Sequence, residues 1–192
     1  MWGVLVGALT IVGGLMFASG GFQHARAMQA VSLGQFEESR VAPQWFAIVI
    51  HASGTPAASV EALDRSSQAL GLDSMPFHFV IGNGLDAPDG SVVAGRRWTE
   101  QRAGSGTAQR PDGSQPDSAW FDEHAIAICL AGNGDRRPFT EAQLDALIRS
   151  VKELQRLHGI PDSAVYLHAD LSPVSDPGVH FAREQFFAAL AT

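Results

Sequence analysis

Two histidines and one aspartate are the residues of this chain best suited to metal chemistry. His51 ends an apolar run that starts at Trp45, and His168 ends a second short apolar run. Asp176 follows His168 with seven residues between them. A catalytic zinc site uses three nitrogen or oxygen ligands and leaves a fourth position for water, and these three side chains match that set. Spacing alone leaves their proximity open, because a lone histidine at a strand end is more often an ordinary hydrogen-bonded residue.

Apolar runs and helical stripes alternate along the chain and predict the elements that carry these side chains. Strands are expected where short runs are apolar or β-branched, at 45–51, 77–82, 91–94, 124–130 and 164–168. Helices are expected at 57–70, 140–159 and 181–190, the second beginning with a capping box at Thr140 and Gln143. This order predicts an α/β fold, with a single mixed β-sheet flanked by helices.

The N-terminal segment predicts export. Residues 2–22 carry no charged side chain and are long enough to cross a hydrocarbon layer, which needs about 20 apolar residues. We expect an N-terminal apolar leader helix at 1–23, a signal anchor or a signal peptide, then a stem linker at 24–43 and one folded domain at 44–192. Either form of leader places the domain on the outer side of the cytoplasmic membrane, in the periplasm or cell wall, with the membrane as a partner of the N-terminal segment.

Charge and cysteine content argue against nucleic-acid binding and against an intrachain disulfide. The net charge is −7, and no run of Lys and Arg exceeds two residues, which argues against nucleic-acid binding. The single cysteine, Cys129, has no intrachain disulfide partner, and its apolar neighbours predict a small buried core residue away from the metal site. The sequence does not specify the oligomeric state, and we expect a monomer.

Five blocks resemble, in the same order, the type 2 N-acetylmuramoyl-L-alanine amidase and peptidoglycan recognition family. They are residues 48–53, 77–84 with 89–90, 95–98, 125–133 with 138–143, and 168–178. The resemblance implies that family's fold, a Zn²⁺ cofactor, and His51, His168 and Asp176 as the zinc ligands. It also implies hydrolysis of the amide between N-acetylmuramic acid and L-alanine, with peptidoglycan or muropeptides as partners.

The resemblance also suggests which residues contact substrate. Phe77, His78 and Trp98 are expected to do so, and the long polar loop 103–118 is expected to wall the groove with Trp98. Core packing of Trp98 and disorder of the loop are alternatives that the residues leave open. For Asp170 we expect a role in capping the loop or supporting the ligands rather than in binding metal.

Three positions depart from the family pattern and bear on turnover. Phe77 stands where many active members have Tyr, and Cys129 stands where others have Glu. Val174 replaces the Lys or Thr that commonly lies two residues before the third ligand. The catalytic proton donor is therefore unknown. Besides a zinc amidase of peptidoglycan, the sequence allows a catalytically impaired zinc- and peptidoglycan-binding module, or a zinc hydrolase of another amide.

Overall fold

A computed structural model describes residues 45–106 and 118–192. The predicted leader at 1–23, the stem at 24–43 and most of the long loop lie outside the described residues. Within the described ranges, no helix is both long enough and apolar enough to cross a membrane.

The described chain forms one five-stranded mixed sheet with helices around it. The strands are β1 (Ala47–Ala52), β2 (Phe79–Ile81), β3 (Val92–Ala94), β4 (Ala125–Leu130) and β5 (Val165–Leu167). Their order across the sheet is β3-β2-β4-β1-β5; β3 is antiparallel to β2, and the other neighbours are parallel. The predicted single mixed sheet flanked by helices is confirmed. Each predicted strand is present, and no strand end differs by more than two residues from its predicted position.

Three helices begin or end close to their predicted positions. They are α1 (Val60–Ala69), α4 (Glu141–His158) and α6 (Arg183–Leu190). Thr140 and Gln143 form the predicted capping box of α4, and Gly159 ends that helix in the left-handed conformation that favours glycine. Ser59 caps α1 by accepting a hydrogen bond from Ala62 N–H.

Three short helices were not predicted from the sequence. They are α2 (Arg96–Thr99), α3 (Ser118–His124) and α5 (His168–Leu171). Each is four to seven residues long, too short to show an apolar stripe. The consequence for the site is that His168 is the first residue of a helix rather than the last residue of a strand.

The two faces of the sheet differ in the size of their side chains. β1 and β4 pair in register, so Val49, His51, Ala127 and Cys129 project from one face. Small side chains on this face leave room for α1, α3 and α5, which contribute Leu63, Phe121 and Leu171 to its packing. The other face carries large buried aliphatic residues, among them Ile48, Ile50, Ile126 and Ile128. The imidazole of His51 therefore lies on the face with the smaller side chains.

Candidate metal centre

The side chains of His51, His168 and Asp176 meet at one point. Nδ1 of His51 lies 3.1 Å and Nδ1 of His168 lies 2.8 Å from the same carboxylate oxygen, Oδ2 of Asp176. The two imidazole rings are 4.6 Å apart between centroids. The structure thus brings together three residues that are distant in sequence, as the family resemblance implied.

Strand order explains why the histidines meet. β1 and β5 are parallel neighbours, so their carboxyl ends lie side by side at the same edge of the sheet. His51 is next to last in β1, and His168 follows β5 directly. The backbone returns from α5 to bring Asp176 to this edge, where Ala169 N–H donates to the carbonyl oxygen of Asp176.

A backbone hydrogen bond orients the carboxylate. Ala52 N–H donates to Oδ1 of Asp176 over 2.6 Å, which leaves Oδ2 directed at the two imidazoles. The N–H of the residue after His51 therefore holds the third side chain of the cluster. This contact is invisible in the sequence, because any residue other than proline supplies the same donor.

Electrostatics favour the ionisation states that bind a cation. Burial lowers the pKa of His51 below its ordinary value of 6.5 and outweighs the opposing effect of the nearby carboxylate. Burial acts to raise the pKa of Asp176, but hydrogen bonds from His168, His51 and Ala52 hold it below its ordinary value of 3.8. A neutral imidazole and an ionised carboxylate are the forms that ligate metals.

The donor set fits a zinc ion. Tetrahedral bonds of about 2.0–2.2 Å place ligand atoms about 3.3–3.6 Å apart. The two nitrogen–oxygen distances, 3.1 and 2.8 Å, are a few tenths of an ångström shorter, so small side-chain shifts would admit the ion. One ligand atom from each of the three residues lies within 4.8 Å of the others. Both Nε2 atoms are buried and have no hydrogen-bond partner among the described residues. Asp176 and the surrounding packing therefore hold the imidazoles, without a hydrogen bond at their far nitrogens.

Phe77 and the start of the long loop lie against His51. The Phe77 ring is 5.1 Å from the His51 ring. A Cβ added to Gly106 would lie 3.5 Å from the Phe77 ring and 3.7 Å from Cε1 of His51. The first residues of the loop thus lie beside the cluster. The substrate groove expected of this loop stays a prediction, since residues 107–117 lie outside the described part.

Two of the expected substrate-binding residues lie in the core. Trp98 and His78 are both 0% exposed. Trp98 packs 4.6 Å from the Phe79 ring, and both nitrogens of His78 bond to the protein backbone. Neither side chain reaches the surface, which argues against the contact with substrate that was predicted for them. Of the three predicted residues, Phe77 alone is both beside the cluster and partly exposed.

Cys129 is buried as predicted but is not remote from the cluster. It is 0% exposed, and it pairs in register with His51 on the same face of the sheet. Burial raises the pKa of the Cys129 thiol, and the charge of Asp176 adds to this effect. Cys129 is therefore a buried, protonated thiol beside the cluster rather than a distant core residue.

Asp170 has the loop-capping role expected for it. Its Oδ2 accepts from Leu167 N–H over 3.0 Å, and its Oδ1 accepts from Arg183 over 2.9 Å. These bonds fix the turn that presents His168. Val174 is 42% exposed and, as the sequence indicated, offers no hydrogen-bond donor from its side chain.

Two acidic residues near the cluster were missed in the sequence. Asp122 accepts from Gly106 N–H through Oδ1 and from Gly104 N–H through its carbonyl oxygen, which holds the first residues of the loop in place. Asp135 binds the loop that carries Asp176. Neither lies in a pattern that marks function, although Gly132-Asn-Gly-Asp135 has the composition of a turn.

The three-dimensional comparisons show a shared fold. The amidase LysC from Clostridium intestinale URNW matches with a TM-score of 0.62 and 23% identity, over 78% of this chain and 87% of that one. Drosophila peptidoglycan recognition protein SD matches with a TM-score of 0.57 and 17% identity, over 76% and 80%. The Ph2119 endolysin of Thermus scotoductus MAT2119 bacteriophage Ph2119 matches with a TM-score of 0.53 and 16% identity, over 82% and 91%.

Sequence comparison identifies the family. No curated protein sequence matches the chain. The family model described as N-acetylmuramoyl-L-alanine amidase matches residues 42–179, a range that includes all three residues of the cluster and all five strands of the sheet. This chain belongs to the N-acetylmuramoyl-L-alanine amidase family.

Proposed function

We propose that this protein is a zinc-dependent amidase that hydrolyses the amide between N-acetylmuramic acid and L-alanine in peptidoglycan. The observation that carries the proposal is the convergence of His51 Nδ1 and His168 Nδ1 on Oδ2 of Asp176. In a chain of the amidase family, this cluster has the composition and spacing of a zinc site.

The side chains of His51, His168 and Asp176 would hold the zinc ion. When bound, zinc polarises a substrate carbonyl and lowers the pKa of water from about 15.7 toward about 7. Ala52 N–H orients the carboxylate, and the 2% exposure of His51 keeps bulk water from one side of the cluster. Phe77 and Gly106 border the cluster and offer an apolar surface to the substrate.

A second function is favoured by Phe77, which lies beside the cluster, and by Val174, which precedes Asp176 by two residues. Amide hydrolysis requires a proton for the leaving amine, and the oxyanion is stabilised by a donor. Phe77 lacks a hydroxyl, and Val174 carries only methyl groups. A module that binds zinc and peptidoglycan but cuts slowly or not at all is therefore the alternative.

We also propose that the protein acts outside the cytoplasm, because peptidoglycan lies on the outer side of the cytoplasmic membrane. The apolar segment 2–22 supports this proposal through its composition. Muropeptides or intact peptidoglycan are the proposed partners.

A wall-digestion assay separates the two functions. Purified peptidoglycan is incubated with the protein, and released peptides with a free N-terminal L-alanine are measured by mass spectrometry. Amidase activity predicts such products, with loss of release in His168→Ala and after chelation, and recovery of the wild-type protein on addition of zinc. His124→Ala is the matched control, since His124 ends α3 at the other edge of the sheet.

The outcomes exclude each function in turn. Muropeptide binding without released peptides refutes the amidase and supports the binding module. Release that persists in His168→Ala at the wild-type rate refutes the zinc mechanism altogether.

A further inference from the structure

The loop that carries Asp176 is hydrogen-bonded to the loop between β4 and α4. Asp135 lies in that second loop, and its carboxylate accepts two hydrogen bonds. Ser175 Oγ donates to Oδ2 over 2.6 Å, and Val179 N–H donates to Oδ1 over 3.1 Å. Ser175 precedes Asp176 in sequence and Val179 follows it. The Asp135 carboxylate therefore bonds to the loop on both sides of Asp176.

The backbones of the same two loops are in close contact. A Cβ added to Gly134 would lie 2.1 Å from the carbonyl oxygen of Pro177, and one added to Gly178 would lie 2.1 Å from the carbonyl carbon of Gly134. His180 N–H also donates to the carbonyl oxygen of Gly134 over 2.9 Å. The absence of a side chain at both glycines lets Asp135 reach its two partners.

The connection continues to the strand that carries His51. Asn133 Oδ1 accepts from Asp135 N–H over 3.0 Å, and Asn133 Nδ2 donates to the carbonyl oxygen of Gly54 over 3.0 Å. Gly54 lies two residues beyond Ala52, whose N–H binds the Asp176 carboxylate. The loop between β4 and α4 thus bridges the two segments that provide His51 and Asp176.

We propose that Asp135 is a positioning residue that fixes Asp176 as a metal ligand. Its carboxylate bonds to Ser175 and Val179 rather than to Asp176 itself, so it acts by setting the path of residues 175–179. The proposal rests on the zinc site of the proposed function. Groups that support metal ligands typically change metal affinity about 10–100-fold when they are removed.

The test measures zinc affinity rather than activity, by competition with a chromophoric chelator at pH 7.5. Asp135→Ala removes both bonds and should weaken zinc binding at least ~10-fold. Asp135→Asn should stay within about 3-fold of wild type, because its amide oxygen still accepts from Val179 N–H and its NH₂ group can donate to Ser175 Oγ. Asp145→Ala, at an exposed aspartate on α4, is the matched control and should leave affinity unchanged.

A second variant keeps the test valid if Asp135→Ala folds poorly. Ser175→Ala removes one of the two bonds at an exposed position and should weaken zinc binding by a smaller factor. The absorption spectrum of the Co²⁺-substituted protein gives an independent readout, since loss of a carboxylate ligand changes the visible bands. In a double-mutant cycle, the effects of Asp135→Ala and Ser175→Ala should be less than additive.

Failure of this inference is distinguishable from failure of the zinc site. If wild type binds zinc and His168→Ala does not, but Asp135→Ala binds as tightly as wild type with the same Co²⁺ spectrum, the positioning role is refuted and the zinc site stands. If wild type and His168→Ala bind zinc equally weakly, the zinc site itself is refuted, and the positioning role with it.

Discussion

His78 should make the folded domain sensitive to mild acid. The backbone fixes its tautomer, because Ala127 N–H can only donate to Nδ1 and the Arg102 carbonyl can only accept from Nε2–H. A proton added to Nδ1 would face another N–H group inside the core. Burial accordingly lowers the pKa of His78 from 6.5 to about 4, with a smaller contribution from the charge of Arg97.

The sign and size of the effect follow from proton linkage. Between pH 6.5 and about 4 the unfolded chain binds a proton at His78 that the folded chain does not, so stability falls as the pH falls. The gap from 6.5 to about 4 spans about 2.5 pH units. At about 1.36 kcal/mol per unit, His78 alone removes about 3 kcal/mol of stability across this range. Above pH 6.5 its contribution is complete and constant.

Denaturant unfolding of wild type and His78→Asn at several pH values measures this contribution. The Asn side chain can still accept from Ala127 N–H but cannot titrate, so the variant should be less stable near pH 7.5 and lose less stability on acidification. The difference between the two curves should shrink by about 3 kcal/mol between pH 6.5 and 4. Chelator in every sample removes any contribution from metal. Parallel curves would refute the reasoning, because other titrating groups are common to both proteins.

Two further substitutions test the site and the loop contact beside it. Phe77→Tyr places a hydroxyl beside His51 and should raise the rate of peptide release ~10²–10³-fold without changing zinc content. The same change at Phe187 on α6 should do nothing. A wild-type protein that already releases peptide as fast as an active Phe77→Tyr would contradict this prediction and exclude the binding module. Gly134→Ala should destabilise the domain by about 1–3 kcal/mol in thermal unfolding, because the added Cβ would clash with the carbonyl oxygen of Pro177. Gly106→Ala is the control and should lower stability less, because its Cβ would make ordinary van der Waals contacts. Equal stability of the two glycine variants would show that the loops separate freely.

The longer helices and strands of this fold were predictable because each carries a sequence pattern of its own. The capping box at Thr140 and the apolar stripe of α4 are encoded within one helix, and β1 and β4 are continuous apolar runs. The short helices α2, α3 and α5 lack such a pattern. Their conformation follows from tertiary contacts, as with Arg97, which donates to the carbonyl oxygens of Met75 and Ala103.

The cluster was predictable as a set of residues, but its geometry was not. Strand ends at His51 and His168 follow from composition, whereas the adjacency of β1 and β5 depends on strand order, which no local pattern specifies. Trp98 was expected to contact substrate but lies in the core. Sequence alone does not distinguish an aromatic residue in a groove from one in the core. Asp135 was missed because its contacts join two loops that are 40 or more residues apart.

The energetics of the cluster favour a bound cation over a purely structural role. Two nearly buried imidazoles and one partly buried carboxylate are costly to desolvate, and apolar residues of similar volume often stabilise a core more than such a set. Among the described residues, the Nε2 atoms of His51 and His168 gain no compensating hydrogen bonds. A metal ion held by His51, His168 and Asp176 would offset the cost of burying these side chains through its own binding energy. The same cost would arise in an amidase and in a binding module, so the cluster is compatible with both proposed functions, and substitutions at Phe77 and Val174 are the ones expected to distinguish them.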